Sequence, residues 1–324
     1  MGPIRRVYEK KLLRRSDENG YIRYLCAGDF PGMHAEPFTF RSGENTLRGN
    51  FYSYDGCREE ELVIFCHGLN GGHRSYMAEI DALCRRGFRV LAWDNTGCFA
   101  SEGKDIGALS RSLADLECAL DALEERGETG EGRKLFLIGH SWGGYAVGSA
   151  PGRRTGIDRV VAISGFVSVE RALRGFLGDP GHGMKHLLVR RLCRFEREAD
   201  PERYPASVLD AVDRGTAKFL LAHSEDDAMV PFAWSTGYIR ENTKNPDVRY
   251  LLCTGRKHNT NYTDDAVAYM NEVLGGLHAQ EKARKLRSAE EKREYLKDTD
   301  WFRMTRQDED FWDRVCAFLH EENE

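Results

Sequence analysis

No stretch of this 324-residue chain approaches the roughly 20 consecutive apolar residues that a membrane-spanning helix needs, so no span is expected. An excess of one charge is also lacking. Lys and Arg number 47 against 52 Asp and Glu, a formal net charge of −5, which gives no reason to expect a nucleic-acid partner. The nine cysteines contain no Cys-x-x-Cys pair, which argues against structural zinc and against a disulfide framework. Cys66, Cys118 and Cys253 stand in apolar stretches and read as small core residues. There is no Gly-x-x-x-x-Gly-Lys to cradle a nucleotide phosphate and no His-Glu-x-x-His to hold a catalytic zinc, so no cofactor and no metal are expected. Met1 to Arg15 is basic but leads into no apolar run, so it is not read as a secretory signal. Arg6 stands where a myristoylation signal takes Ser or Thr. A reducing cytoplasm is the simplest setting for such a chain.

What the sequence does have is a hydrophobic content of 41% and a charged content of 31%, which fits a globular protein with a full core. Residues 1–36 mix charge with Gly, Pro and aromatics without a clear period and read as an N-terminal arm with short elements. Phe38–Arg41 and Leu47–Tyr52 flank Ser42-Gly43-Glu44-Asn45 and predict an antiparallel hairpin. Buried strands are expected at Glu61–Cys66, Phe88–Trp93, Leu135–Ile138, Asp158–Ser164, Phe219–His223 and Val248–Cys253. Helical spacing falls between them, at Ser75–Arg86 and Leu109–Glu125. Strand and helix in alternation imply right-handed crossovers and a doubly wound, mostly parallel sheet, an α/β fold with functional groups at the carboxyl ends of its strands.

The alternation breaks at 166–214, which is expected to form a helical cap inserted into a core of 37–165 and 215–324. Within the cap Met184, Leu187, Leu188, Leu192 and Phe195 lie near helical spacing and predict an apolar side that packs down. Lys185, Arg190, Arg191, Arg194 and Arg197 then form either a solvated face or a site that greets an anionic substrate. After the sheet, 262–274 reads as a helix, 278–298 as a heavily charged helix, and Glu309–His320 as a terminal amphipathic helix.

Leu135-Phe136-Leu137-Ile138-Gly139-His140-Ser141-Trp142-Gly143-Gly144 is the most informative stretch. An apolar strand runs into Gly-x-Ser-x-Gly and a helix can start directly after it, so Ser141 is expected at the apex of a strained strand-to-helix turn. Gly139 and Gly143 leave room where a Cβ would collide. The backbone N–H of Trp142, opening the helix, is then placed to meet a developing oxyanion. His140 is expected to point away from the apex. His67 belongs to a turn and His223 ends a strand, while His73, His182 and His186 are candidates to line a pocket.

Ser141, then Asp227 in Asp-x-x-Val-Pro, then His258 after the last strand stand in an order that resembles the α/β-hydrolase superfamily, over roughly Glu61 to Asn259. The likeness is to its single-cap serine hydrolases of the monoacylglycerol-lipase and serine-aminopeptidase type. The resemblance implies that Ser141 is the nucleophile and His258 its base. It places the orienting acid at Asp227 rather than the adjacent Asp226, and the second oxyanion donor at Leu69, after His67-Gly68. It also makes Asp94 structural. The implied reaction is cleavage of a carboxylic ester of a small-molecule acyl substrate through an acyl-enzyme. An aminopeptidase, amidase or thioesterase with the same triad is an alternative, as is a ligand-binding protein on a hydrolase scaffold. An aminopeptidase should keep cap carboxylates to hold a substrate ammonium, and Glu170, Asp179, Glu196, Glu198, Asp200 and Glu202 are available.

Overall fold

The computed structural model describes residues 2–179 and 181–321. Eight strands form one sheet in the order β1-β2-β4-β3-β5-β6-β7-β8. They are β1 (His34–Ser42), β2 (Asn45–Ser53), β3 (Arg58–Cys66), β4 (Phe88–Asp94), β5 (Lys134–His140), β6 (Arg159–Ile163), β7 (Lys218–Ser224) and β8 (Arg249–Cys253). β1 and β2 make the expected hairpin, closed tightly with Ser42 opposite Asn45, and β2 runs antiparallel to β4. Every other pairing is parallel. From β3 the chain first builds outward to β4 and then returns to place β5 on the other flank. The loops leaving β3 and β5 therefore diverge at a topological switch point, where such sheets carry their ligands.

The parallel strands are apolar without alternation because both faces of the sheet are covered. Along β3, Leu62, Ile64 and Cys66 join one core layer, while Val63 and Phe65 join the other. The helices that follow the strands in turn are α2 (Met77–Arg85), α3 (Arg111–Glu125) and α4 (Trp142–Ser149). Leu113, Leu116 and Leu120 of α3 and Trp142 and Val147 of α4 cover the first face. Ile80 and Leu83 of α2 cover the second. The arm begins with α1 (Pro3–Tyr8) and continues as a π-helical turn over Glu9–Leu13.

Between β6 and β7 lie α5 (Val169–Leu177), α6 (Gly183–Ala199) and α7 (Val208–Arg214). The expected apolar side of α6 is only partly correct. Leu192 and Phe195 are buried, together with Val189, Cys193 and Glu196, but Met184 is 87% and Leu187 58% exposed. The start of α6 leaves these two side chains facing solvent instead of packing down, although they lie at helical spacing with Leu192 and Phe195.

α8 (Thr236–Asn242) precedes β8, and α9 (Asp264–Lys282), α10 (Ala289–Tyr295), α11 (Trp301–Met304) and α12 (Glu309–His320) follow it. The single charged helix expected over 278–298 does not exist. α9 continues to Lys282, Arg284 takes a φ of 58°, and a new helix starts where Ser288 and Glu291 exchange side-chain-to-backbone hydrogen bonds. A capping box satisfies the new helix end locally, and the charged run has no apolar stripe to hold one straight helix together. α12 packs Phe311, Trp312, Val315 and Phe318 into the second core layer.

Candidate active site

Ser141 links β5 to α4 with φ 56° and ψ −113°, a conformation that side chains avoid. The turn is held by backbone bonds. The Ser141 N–H donates to the Ile163 carbonyl at 2.8 Å and its own carbonyl accepts from the Tyr145 N–H at 3.1 Å. Both flanking glycines are required. A Cβ on Gly139 would lie 2.5 Å from the Gly143 carbonyl carbon, and one on Gly143 would lie 2.0 Å from the Cys66 oxygen. Strand and helix thus cross at backbone contact, with Ser141 left at the edge of a cavity of about 760 Å³ that His140 and His258 also line.

Asp227 is placed by its own loop. Its Oδ1 accepts the N–H groups of Met229 and Val230 at 2.8 and 2.9 Å, which is the physical content of Asp-x-x-Val. Oδ2 lies 2.7 Å from His258 Nδ1 and 3.3 Å from His223 Nε2. Burial alone would raise the Asp227 pKa. The hydrogen bonds from His223 and His258 outweigh it and hold the carboxyl well below the usual range. Asp226 points elsewhere: its Oδ1 accepts from Ser224 Oγ and from the N–H groups of Gly255 and Lys257, tying the β7 loop to the loop that carries His258.

The model of the serine aminopeptidase S33 family matches residues 58–201. A 1-acylglycerol-3-phosphate O-acyltransferase of Arabidopsis thaliana is 32% identical over 108 residues, 33% of this chain and 25% of that protein. A proline iminopeptidase of Saccharolobus solfataricus is 26% identical over 143 residues, 44% of this chain and 40% of that one. The chain therefore spans well under half the length of these curated relatives. An esterase of Pyrococcus furiosus superposes with a TM-score of 0.59 at 17% identity, covering 89% of this chain and 98% of that one. The chain has the α/β-hydrolase fold.

In this fold Trp142 is the first residue of α4, where an amide has no carbonyl one turn before it within the helix. Leu69 follows Gly68 in the turn after β3 and lines the same cavity. The expectation for His140 is wrong. Strand alternation puts it on the Phe136 and Ile138 face, where it meets the His258 loop. The two rings lie 4.7 Å apart and His140 Nε2 donates to the His258 carbonyl at 2.8 Å. That fixes the tautomer, so His140 Nδ1 accepts from Tyr76 Oη at 2.9 Å, and Tyr76 Oη accepts from the Gly68 N–H at 3.0 Å. Burial, then the neighbouring His258, push the His140 pKa down to about 3, which keeps this relay neutral. One chain of hydrogen bonds thus joins the Leu69 turn to the His258 loop. Tyr76→Phe leaves the Gly68 N–H without its acceptor, a loss of ~1–2 kcal/mol. We expect the kcat of hydrolysis to fall roughly tenfold, with KM little changed. A kcat equal to that of the native chain in steady-state kinetics would mean that the turn holds its place unaided.

The His258 loop is also supported from beneath. Asn261 Nδ2 donates to Glu79 Oε1 at 3.1 Å and to Gln307 Oε1 at 2.7 Å, and Trp312 Nε1 donates to the same Gln307 oxygen at 3.0 Å. Burial pushes Glu79 up to about 7, against hydrogen bonds that favour its ionised form. Because the folded pKa lies above the unfolded one, this group's contribution to stability is complete below about pH 4. It is lost as pH rises through about 7. Glu196, also pushed up to about 7 by burial, acts in the same direction. Urea midpoints are expected to fall between about pH 5 and pH 8 and to fall less in Glu79→Gln, by on the order of 1–3 kcal/mol. Superimposable pH profiles for the two proteins would contradict this assignment.

The remaining histidine candidates do not line the cavity beside Ser141. His67 is buried, and its Nε2 accepts the Asn95 N–H at 2.9 Å. His73 pairs with Asp94 at 2.7 Å. His182 precedes α6 and is exposed. His186 binds Asp179 at 3.1 Å and lines a separate cleft with Arg190, Arg194 and Arg197. Arg190, Arg194 and Arg197 therefore line a cleft apart from the cavity beside Ser141, where they are not placed to greet a substrate. Among the described residues no group of three or more His, Cys, Asp or Glu side chains is arranged to hold a metal ion, and no helix is long and apolar enough to cross a membrane.

Proposed function

We propose that this chain hydrolyses a carboxylic ester of a small acyl substrate by a Ser-His-Asp mechanism. Ser141 Oγ attacks the ester carbonyl while His258 Nε2 takes its proton. The His258 Nδ1–H donates to Asp227 Oδ2, which holds the tautomer and stabilises the imidazolium. The Leu69 and Trp142 N–H groups receive the oxyanion. Collapse returns the proton to the leaving alkoxide, and water, activated by the same imidazole, cleaves the acyl-enzyme.

The composition of the cavity wall favours ester over aminoacyl amide. Among the described residues no Asp or Glu lines the cavity beside Ser141. The cap carboxylates are engaged elsewhere: Glu196 with Tyr8 and Leu109, Asp179 with Arg174 and His186, and Glu170 with Arg174. A substrate ammonium would find no counter-charge there. Labelling of Ser141 by a fluorophosphonate, followed by turnover of a panel of esters, thioesters and aminoacyl amides, tests this reading. Absence of labelling would favour a ligand-binding role, and preferential cleavage of the amides would replace the esterase by an aminopeptidase.

A further inference from the structure

The far side of the cavity is built by residues that precede the sheet. α1 and the turn after it contribute Ile4, Val7, Tyr8 and Leu12 to the lining. This arm is fastened to both the cap and the core. Tyr8 Oη donates to Glu196 Oε1 of α6 at 2.6 Å, and Glu196 Oε2 accepts the Leu109 N–H of the core at 2.8 Å. Tyr8 meets Phe195 edge to face, and the Arg5 guanidinium lies 4.1 Å from the centre of that ring. Beyond the turn, the carbonyl of buried Leu13 accepts the Ile106 N–H at 3.0 Å, and the Arg15 guanidinium donates to the carbonyls of Phe99, Ser101 and Gly103. Segments pinned in this way act as a wall rather than a loose tail.

The wall is apolar where it need not be for folding. Ile4 and Val7 remain 38% and 56% exposed, and Phe176 of the cap, which lines the same cavity, is 38% exposed. The polar groups of the cavity gather around Ser141, whereas the arm presents aliphatic side chains and the already bonded Tyr8 hydroxyl, with Lys11 as the one cation it adds among the described residues. A group lying against Ile4, Val7 and Leu12 gains from burial only if it carries neither charge nor hydroxyl. The volume falls in the range that encloses most of a small ligand.

We propose that the N-terminal arm determines acyl-chain selection: Ile4, Val7 and Leu12 form the wall against which an unbranched aliphatic acyl chain lies when its carbonyl is at Ser141. This rests on the ester-hydrolase reading for its kinetic consequence, but not for the binding it predicts. Each fully buried methylene contributes about fourfold in kcat/KM, so an octanoate ester should exceed the acetate ester by at least about a hundredfold. Val7→Trp fills the space and Val7→Asp places a charge in it. Val7 is exposed, so neither change disturbs packing on which the fold depends. Both should lower the octanoate-to-acetate ratio by at least about tenfold, and a ratio within about twofold of the native one in both variants would overturn the proposal. Dodecanoate binding to Ser141→Ala protein, followed by calorimetry, gives a readout independent of turnover. Val7→Asp in that background should weaken Kd by at least about tenfold, and equal affinities would overturn the role of the arm. If no ester is cleaved and no fluorophosphonate reacts, the hydrolase reading fails, while weakened dodecanoate binding still upholds the arm as the chain-binding wall.

Discussion

Ser141→Ala is expected to lose at least about 10⁴ of kcat on a carboxylic ester, the scale on which removal of a triad serine acts, while unfolding at the same urea concentration as the native chain. The hydrogen bonds that hold the elbow come from the backbone of Ser141, to Ile163 and from Tyr145, and alanine keeps both. Its Cβ occupies the same place at φ 56°, so the local strain is unchanged. What disappears is the hydroxyl that would form the acyl bond. The surviving donors and the cavity can still bind an ester, so KM should move far less than kcat. Undiminished turnover by a carefully purified variant would reject the mechanism. A loss of activity that tracks a lowered urea midpoint would assign the effect to folding instead.

The parts of this site that could be read from the sequence are those set by local backbone chemistry. Gly139 and Gly143 announce the elbow because only glycine tolerates the contacts at 2.5 and 2.0 Å that a Cβ would make there. Asp227 announces its loop because its carboxylate caps the amides two and three residues ahead. The alternating strands and helices announce the sheet because both of its faces are buried. The missed features depend on long-range packing. Tyr8 and Glu196 are 188 residues apart, and α1 is too short for a periodic signal, so the sequence left open whether 1–36 shapes an acyl pocket or an oligomer contact. His140 looked idle because its role depends on Tyr76 and on the loop after β8 arriving at the same strand face. A signal was present in the alternation of β5, which sets His140 with Phe136 and Ile138, but it named the face and not the partners. Met184 and Leu187 matched a helical stripe, yet the stripe says nothing about where the surface beneath it ends.

Asp227→Asn and Asp226→Asn, two nearly isosteric changes at adjacent residues, are expected to differ by at least about tenfold in kcat. Asp227 Oδ1 is committed to the Met229 and Val230 N–H groups, so an asparagine must keep its carbonyl oxygen on that side. Its NH₂ is then forced to the Oδ2 position, 2.7 Å from His258 Nδ1 and 3.3 Å from His223 Nε2. Two donors cannot share that contact, so His258 must give up its Nδ1 proton and carry it on Nε2, the nitrogen that should accept from Ser141. In a serine protease the same wrong tautomer costs on the order of 10⁴ in kcat, and a loss of at least about 10² is expected here. The Asp226 case differs in kind. Its Oδ1 accepts from Ser224, Gly255 and Lys257, and an amide oxygen can accept the same three bonds. Asp226→Asn therefore keeps the His258 loop in place and should change kcat by less than about tenfold. Parallel kinetics on the two variants, with circular dichroism to verify folding, decide the matter. A crippled Asp226→Asn beside a healthy Asp227→Asn would transfer the acid's role to Asp226, against the 2.7 Å contact between Asp227 and His258.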